Sequence, residues 1–231
     1  MKTYPVFLMD ADETLFDFKK AEAEGLKNAL AEHGIACTPE IHARYHKIND
    51  NLWKQLERGE VTREKLLIER FARLAEEFSL ALDAVAFNQT YMRCLGEGSF
   101  LFDGAEAICR GLRARGIRLY IITNGTAPVQ HRRFAKCPAT ECFEKIFISE
   151  EIGAAKPERA FFDRVLAEIP EFGRDEMLIV GDSLSSDIAG GSIAGIDTCW
   201  YNPAGKENAS PHTPTYEIRS LDELYRFASA I

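Results

Sequence analysis

The chain has 231 residues, 46% of them hydrophobic, enough for one sizeable core and a smaller second one, which excludes a disordered chain. Its 36 acidic residues outnumber 28 basic ones, and the net charge of -8 with scattered basic residues argues against a nucleic-acid polymer as partner, though not against a small phosphorylated ligand. No apolar run reaches the roughly 20 residues of a membrane span, and acids interrupt MKTYPVFLMDADE before a signal-peptide core forms, so a cytoplasmic location without a membrane partner is expected.

Residues 4–9 (YPVFLM) form an apolar run that stops at the polar DAD, as a buried parallel strand does at a loop-rich sheet edge. The next segment lacks strand signals: helical patterns cover 20–33, 39–57, 62–78 and 82–95, with Thr62 as the N-cap of the third. The chain returns through GEGSFLFDG at 96–104. Helices at 104–115, 129–135, 158–169 and 184–194 then alternate with apolar runs at 118–122, 145–148, 177–180 and 197–200. Residues 215–218 offer an edge strand, and 221–230 a terminal helix. This alternation predicts an α/β fold: a doubly wound, mostly parallel, Rossmann-like sheet with an inserted all-helical cap domain. The expected domains are a catalytic core of 1–17 and 97–231 and a helical cap of 18–96, suited to act as a lid. Residues 202–214 (NPAGKENASPHTP) read as a surface loop.

Four strand exits are unusually polar: DADET at 10–14, TNG at 123–125, the Lys156-Pro157 pair after IFISE, and GDSLSSD at 181–187. In a parallel sheet these exits converge on one crevice. Where the chain turns, Asp10 can face that crevice while the backbone carbonyl of Asp12 bends toward it. With Asp182 they supply the hard oxygen ligands that Mg2+ prefers. Asp187 either ligates the metal, directly or through water, or orients Lys156. Phosphoryl transfer needs an in-line nucleophile, an acid for the leaving oxygen and neutralised equatorial charge. Asp10 can be the nucleophile, Asp12 the acid and later the base, and Lys156 with the metal the charge partner. Thr14, Thr123 and the backbone donors around Asn124 and Gly125 can hold phosphate oxygens.

The segments DADETLF at 10–16, TNG at 123–125, GAAKP at 153–157 and GDSLSSDIAG at 181–190 resemble the four signature motifs of the haloacid dehalogenase-like (HAD) hydrolase superfamily. That resemblance implies a helical cap inserted after the first strand, Asp10 as nucleophile, Asp12 as acid/base, Thr123 as phosphate-binding hydroxyl, Lys156 as stabilising lysine and Asp182 as metal ligand. The dehalogenases of the superfamily lack the second aspartate that stands here at position 12, so phosphate chemistry is expected; sugar-phosphate mutases share these residues. Glu13, where most relatives have glycine, together with LWKQLERGEVTREKL at 52–66 and AGIDTCWYNPAGK at 194–206, resembles the house-cleaning pyrimidine 5'-nucleotidases. Their substrates, UMP, dUMP, dTMP and noncanonical analogues, make a nucleoside monophosphate the expected partner. Phosphoglycolate and other small-metabolite phosphatases are the enzymatic alternatives. A nonenzymatic phospho-sensor of receiver-domain type is the alternative of another class, against which the helical insertion and Asp12 both argue.

Other features carry less. Six cysteines without a CxxC pair read as reduced structural thiols, Cys137 and Cys142 included. His42 and His46, one helical turn apart, lack a third metal ligand and read as surface residues. Tyr45, Trp53, Phe71, Phe78, Phe87 and Tyr91 read mainly as core, with Trp53 a candidate to stack on a base. Arg63 and Arg70 can equally be solvated helix-face residues as substrate contacts. Ser183, Ser185 and Ser186 have no histidine base and read as helix-start residues.

Overall fold

The computed structural model describes residues 2–228; Met1 and residues 229–231 lie outside the described residues. The chain divides into two compact units, one of Met1–Asp17 with Phe100–Ile231 and the other of Phe18–Ser99.

The first unit begins with β1 (Val6–Met9), buried along its whole length. The expected run from residue 4 is shortened because Pro5 has no N–H for a ladder; Tyr4 pairs instead with Ala228 in an isolated bridge. The second unit follows at once, as α1 (Phe18–Glu32), α2 (Pro39–Glu57), α3 (Arg63–Phe78) and α4 (Ala84–Leu95). Thr38, Thr62 and Asp83 cap the last three by accepting from backbone N–H groups of the first turn. The helical unit runs to Ser99, and Glu97 and Gly98 donate backbone hydrogen bonds to Cys94 and Leu95 at the end of α4.

Inside the helical unit Tyr45, Phe71, Phe87 and Tyr91 form one buried aromatic cluster, with Tyr45 stacked on Phe71 at 5.3 Å. Gly25 allows α1 to approach α4: a Cβ there would lie 3.0 Å from the Leu95 Cα. Arg70 corrects the expectation of a solvated side chain. It is buried, donates to the side-chain oxygens of Asn49 (3.1 Å) and Asn88 (2.9 Å), and lies over the Phe71 and Tyr91 rings. Asn49 passes the link on to the buried Glu22 (2.7 Å), so the two opposite charges inside this unit are joined through one amide.

The chain re-enters the first unit through α5 (Ala105–Ala114), then β2 (Arg118–Thr123), α6 (Ala127–Ala135), β3 (Lys145–Ile148), α7 (Ser149–Ile152), α8 (Arg159–Ala167), β4 (Met177–Gly181), α9 (Ala189–Ala194), β5 (Asp197–Tyr201) and β6 (Tyr216–Ile218). All six strands are parallel, in the order β3-β2-β1-β4-β5-β6. The apolar runs suit burial on both faces. Val6 and Leu8 join Ile122, Phe161, Phe162 and Ile179 on one side of the sheet, while Phe7 and Met9 join Leu112, Phe134, Val180 and Phe227 on the other. Strand order reverses between β1 and β4, which opens a crevice at their carboxyl ends.

Three local expectations change. The helix foreseen over 184–194 opens with a π-turn, Leu184–Ile188, before α9. α6 starts at Ala127 because Pro128 sits in its first turn, where a missing N–H costs nothing. The terminal helix is a 3-10 helix, Leu221–Phe227, ending where Ala228 pairs with Tyr4; positions 229 and 230 of the expected helix lie outside the described residues. Among the described residues no helix is long and apolar enough to cross a membrane.

His46 generates a prediction. It stays at the surface, its side chain 42% exposed, but its Nδ1 lies 2.7 Å from buried Glu22, and that hydrogen bond outweighs partial burial to raise its pKa above 6.5. A raised imidazole stabilises fully below the unfolded value of 6.5 and ceases to do so as pH climbs through the folded value. Urea denaturation should therefore show the parent losing more stability than His46→Gln as pH rises from about 5 to about 8. Parallel losses would contradict the pairing.

Candidate active site

Asp10 follows β1 directly, and its N–H donates to the Val180 carbonyl (2.8 Å), extending the sheet pairing by one residue. The chain then folds tightly back: Leu15 and Phe16 donate to the Ala11 carbonyl, and Glu13 donates to Phe16 with a φ of 65°. That is the left-handed region, where a glycine would be unstrained and a glutamate costs roughly 1–2 kcal/mol. The turn brings the Thr14 hydroxyl onto Asp10 Oδ2 (3.1 Å). Thr14, expected among the phosphate-holding groups, is fully buried and its hydroxyl donates to Asp10.

Lys156 sits beneath Asp10. Its Nζ donates to Asp10 Oδ1 (2.6 Å), Asp187 Oδ1 (2.7 Å) and the Ile122 carbonyl (2.8 Å), which accounts for all three N–H bonds. Asn124 holds the lysine's backbone from both sides, accepting from the Lys156 N–H (2.9 Å) and donating to its carbonyl (2.8 Å). Asp187 reaches Lys156 because Gly181 leaves room: a Cβ there would come within 2.2 Å of the Asp187 carboxylate. The other Asp187 oxygen accepts from the Ser183 N–H (3.1 Å), and Ser183 caps the π-turn through Ser186.

Asp10, Asp182 and Asp187 each offer an oxygen within 4.8 Å of the others. Three carboxylates against one ammonium leave excess negative charge. Burial pushes Asp10 well above the ordinary carboxylate range; Lys156 opposes this, while Asp187 and Asp182 add to it. For Lys156, burial alone would lower the pKa, but the charges of Asp10 and Asp187 outweigh it and hold the ammonium above its usual value. An oxygen-only donor set with surplus negative charge fits a hard divalent cation. Trp200 steadies this corner by donating its indole N–H to the Asp182 carbonyl (2.9 Å).

On the other side of Asp10, the Thr123 hydroxyl oxygen accepts from the Gly125 N–H (3.0 Å) and from the Gln130 side-chain amide (2.9 Å). The same Gln130 amide nitrogen donates to Asp12 Oδ2 (2.9 Å), and Arg133 donates to Asp12 Oδ1 (2.6 Å). The folded chain thus gathers Asp10, Thr14, Lys156, Asp182 and Asp187 into one cluster, ties Asn124 to it through the Lys156 backbone, and joins Asp12, Thr123 and Gly125 in a second hydrogen-bonded group through Gln130. Gln130, Arg133 and Trp200 went unnoticed in the sequence. For the first two a signal existed: on α6 they lie three residues apart on the same face as the buried Val129 and Phe134.

A family model described as haloacid dehalogenase-like hydrolase matches residues 4–195. The chain is 41% identical over 225 residues to the HAD-hydrolase YfnB of Bacillus subtilis, covering 97% of this chain and 95% of YfnB. A crystal structure of YfnB bound to magnesium superimposes with a TM-score of 0.93 and 40% identity, over 97% of this chain and 98% of that one. Pyrimidine 5'-nucleotidase PynA of Streptococcus pneumoniae is 36% identical over 96% of this chain and 93% of its own length. Pyrimidine 5'-nucleotidase YjjG of Escherichia coli is 33% identical over 93% of both.

The charge imbalance makes a stability prediction. Because the Asp10 carboxyl is raised above 3.8, its ionised form opposes folding once pH exceeds that value. In chelator at neutral pH, Asp10→Asn should therefore melt at a higher temperature than the parent. Lys156→Met, which strands buried carboxylates without their cation, should lose about 3–5 kcal/mol by urea denaturation. A destabilised Asp10→Asn together with an unaffected Lys156→Met would overturn this account of the cluster.

Proposed function

The chain belongs to the haloacid dehalogenase-like hydrolases, and on that premise we propose that it is a magnesium-dependent phosphomonoesterase acting through an aspartyl phosphate on Asp10, with pyrimidine nucleoside 5'-monophosphates as substrates. The observation that carries the chemistry is the Lys156 ammonium, buried between Asp10 and Asp187 and bonded to both. The ammonium opposes the burial that raises the Asp10 carboxyl, and so favours the anion that must attack phosphorus.

In this mechanism Lys156 and Thr14 fix the plane of the Asp10 carboxylate through one oxygen each. Asp10 forms a bond to phosphorus as the ester P–O bond breaks, and Asp12 gives its proton to the departing alkoxide. Asp12, now ionised, takes a proton from water; the water oxygen attacks phosphorus and the bond to Asp10 breaks, releasing inorganic phosphate. Thr123 accepts two hydrogen bonds, which uses both lone pairs of its oxygen and leaves the hydroxyl proton for a phosphoryl oxygen. Magnesium, when bound, would be held by Asp10, Asp182 and the Asp12 backbone carbonyl and would neutralise phosphoryl charge. Asp187 is then the group that orients Lys156. The helical unit is read as the cap domain.

The substrate assignment is supported by PynA and YjjG, two pyrimidine 5'-nucleotidases that match over nearly the whole chain, and the metal assignment by the magnesium-bound YfnB structure. The test is phosphate release from UMP, dUMP, dTMP, purine monophosphates, phosphoglycolate and sugar phosphates, with and without magnesium. Pyrimidine monophosphates should be preferred, chelation should abolish turnover, and Asp10→Asn should lower kcat by at least about a thousandfold. Preference for phosphoglycolate would reject the substrate assignment, and full activity in Asp10→Asn would reject the chemistry.

A further inference from the structure

We propose that Gln130 and Arg133, on one face of α6, are positioning residues that fix the Asp12 carboxylate and the Thr123 hydroxyl in a single geometry for protonating the leaving group. The inference rests on the phosphotransfer mechanism above and extends it to residues outside the four motifs.

The geometry is closed. Arg133 donates through one nitrogen to Asp12 Oδ1 (2.6 Å) and to the Gln130 side-chain carbonyl (2.8 Å). Gln130 donates through its amide nitrogen to Asp12 Oδ2 and to Thr123 Oγ1, both at 2.9 Å. Only one orientation of the Gln130 amide satisfies this set, with its carbonyl toward the guanidinium and its nitrogen toward the carboxylate. Each Asp12 oxygen is therefore held from a different residue, which fixes the plane of the carboxylate as well as its position. A carboxylate offers about four acceptor positions, so an oxygen held once keeps room for the transferred proton.

Packing supports a dedicated device. Arg133 is 0% exposed and Gln130 1%, and a guanidinium so deeply buried is costly unless it is paired. The Arg133 guanidinium also lies 5.2 Å over the Phe16 ring, so the turn carrying Asp12 is held from two directions. Gly125 of the TNG segment completes the arrangement: a Cβ there would come within 2.3 Å of the Gln130 amide nitrogen and 2.6 Å of its carbonyl carbon. The glycine clears the space through which Gln130 reaches Thr123 and Asp12.

Leaving-group dependence separates positioning from general support of the fold. An alkyl leaving group needs the proton that Asp12 delivers, whereas 4-nitrophenolate departs without it. The experiment measures kcat/KM on UMP, phosphoglycolate and glucose 6-phosphate, and on 4-nitrophenyl phosphate, for the parent, Arg133→Met, Gln130→Met, Gly125→Ala and Asp12→Asn, with melting temperatures alongside. Arg133→Met and Gln130→Met should lower kcat/KM on the best alkyl phosphate by roughly 10- to 100-fold. On 4-nitrophenyl phosphate, where the step needs no acid, the loss should be less than about threefold for Arg133→Met and, for Gln130→Met, which also frees Thr123, clearly smaller than its loss on alkyl phosphates. Gly125→Ala should follow Gln130→Met, since it displaces that side chain. Added to Asp12→Asn, Arg133→Met should produce almost no further loss on alkyl phosphates, because its route of action is already gone, and Gln130→Met should produce only the smaller loss it shows on 4-nitrophenyl phosphate. Should Arg133→Met fail to fold, Gln130→Met and Gly125→Ala carry the same comparison without removing a charge. Equal losses on alkyl and aryl phosphates, or full additivity with Asp12→Asn, would overturn the positioning role. A parent inactive on every phosphate would instead overturn the mechanism on which the role rests.

Discussion

All three N–H bonds of the buried Lys156 ammonium are committed, to Asp10 at the end of β1, to the Ile122 carbonyl in β2 and to Asp187 in the π-turn after β4. One cation therefore ties together three neighbouring strand exits that lie far apart in sequence. The dependence runs both ways: the carboxylates can be buried only beside a cation, and the lysine remains an ammonium in that interior only because they surround it. Asn124 then links the lysine's backbone to the loop after β2, so the TNG segment and the Lys-Pro loop are fixed to each other. With Asp182 nearby, the balance stays negative, and the same electrostatics that stabilise Lys156 favour a divalent cation in the crevice.

Small residues at two strand exits let the helices that follow them return to the site. Gly181 makes way for Asp187, and Gly125 for Gln130. Both carry a side chain from the next helical turn into contact with a group near the reacting centre. At the first exit the logic is reversed: Glu13 occupies a left-handed turn that glycine would adopt without strain. A strained turn beside Asp12 is the kind of feature that persists where function over-determines the backbone.

Much of the fold was legible because its signals are local. Five of the strands are short, largely apolar runs ended by polar residues, and the segment between β1 and α5 shows helical periodicity in each of its four helices. Departures arose where a tertiary contact or a single residue intervened: Pro5 shortened β1, and the bridge of Tyr4 to Ala228 ended the terminal 3-10 helix. At the site, Asp10, Lys156 and Asp182 could be named from motif order because parallel strands bring their exits together. Gln130 and Arg133 could not: their place on the apolar face of α6 marks them as packed, but only the partners across the sheet edge give them a role. Arg70 was misjudged for the same reason: its burial beside Asn49 depends on helix packing that hydropathy does not encode, and the same packing brings Glu22 to the half-exposed His46.

The central claim is that Asp10 becomes transiently phosphorylated. Its most direct test is rapid acid quenching during turnover with magnesium and substrate, followed by peptide mass mapping with and without borohydride reduction. The account predicts the mass of one phosphoryl group on the peptide that contains Asp10, reducible as an acyl phosphate and absent from Asp10→Asn. Steady phosphate release with no modified peptide, or a phosphoryl group on Asp182 or Asp187 instead, would contradict it.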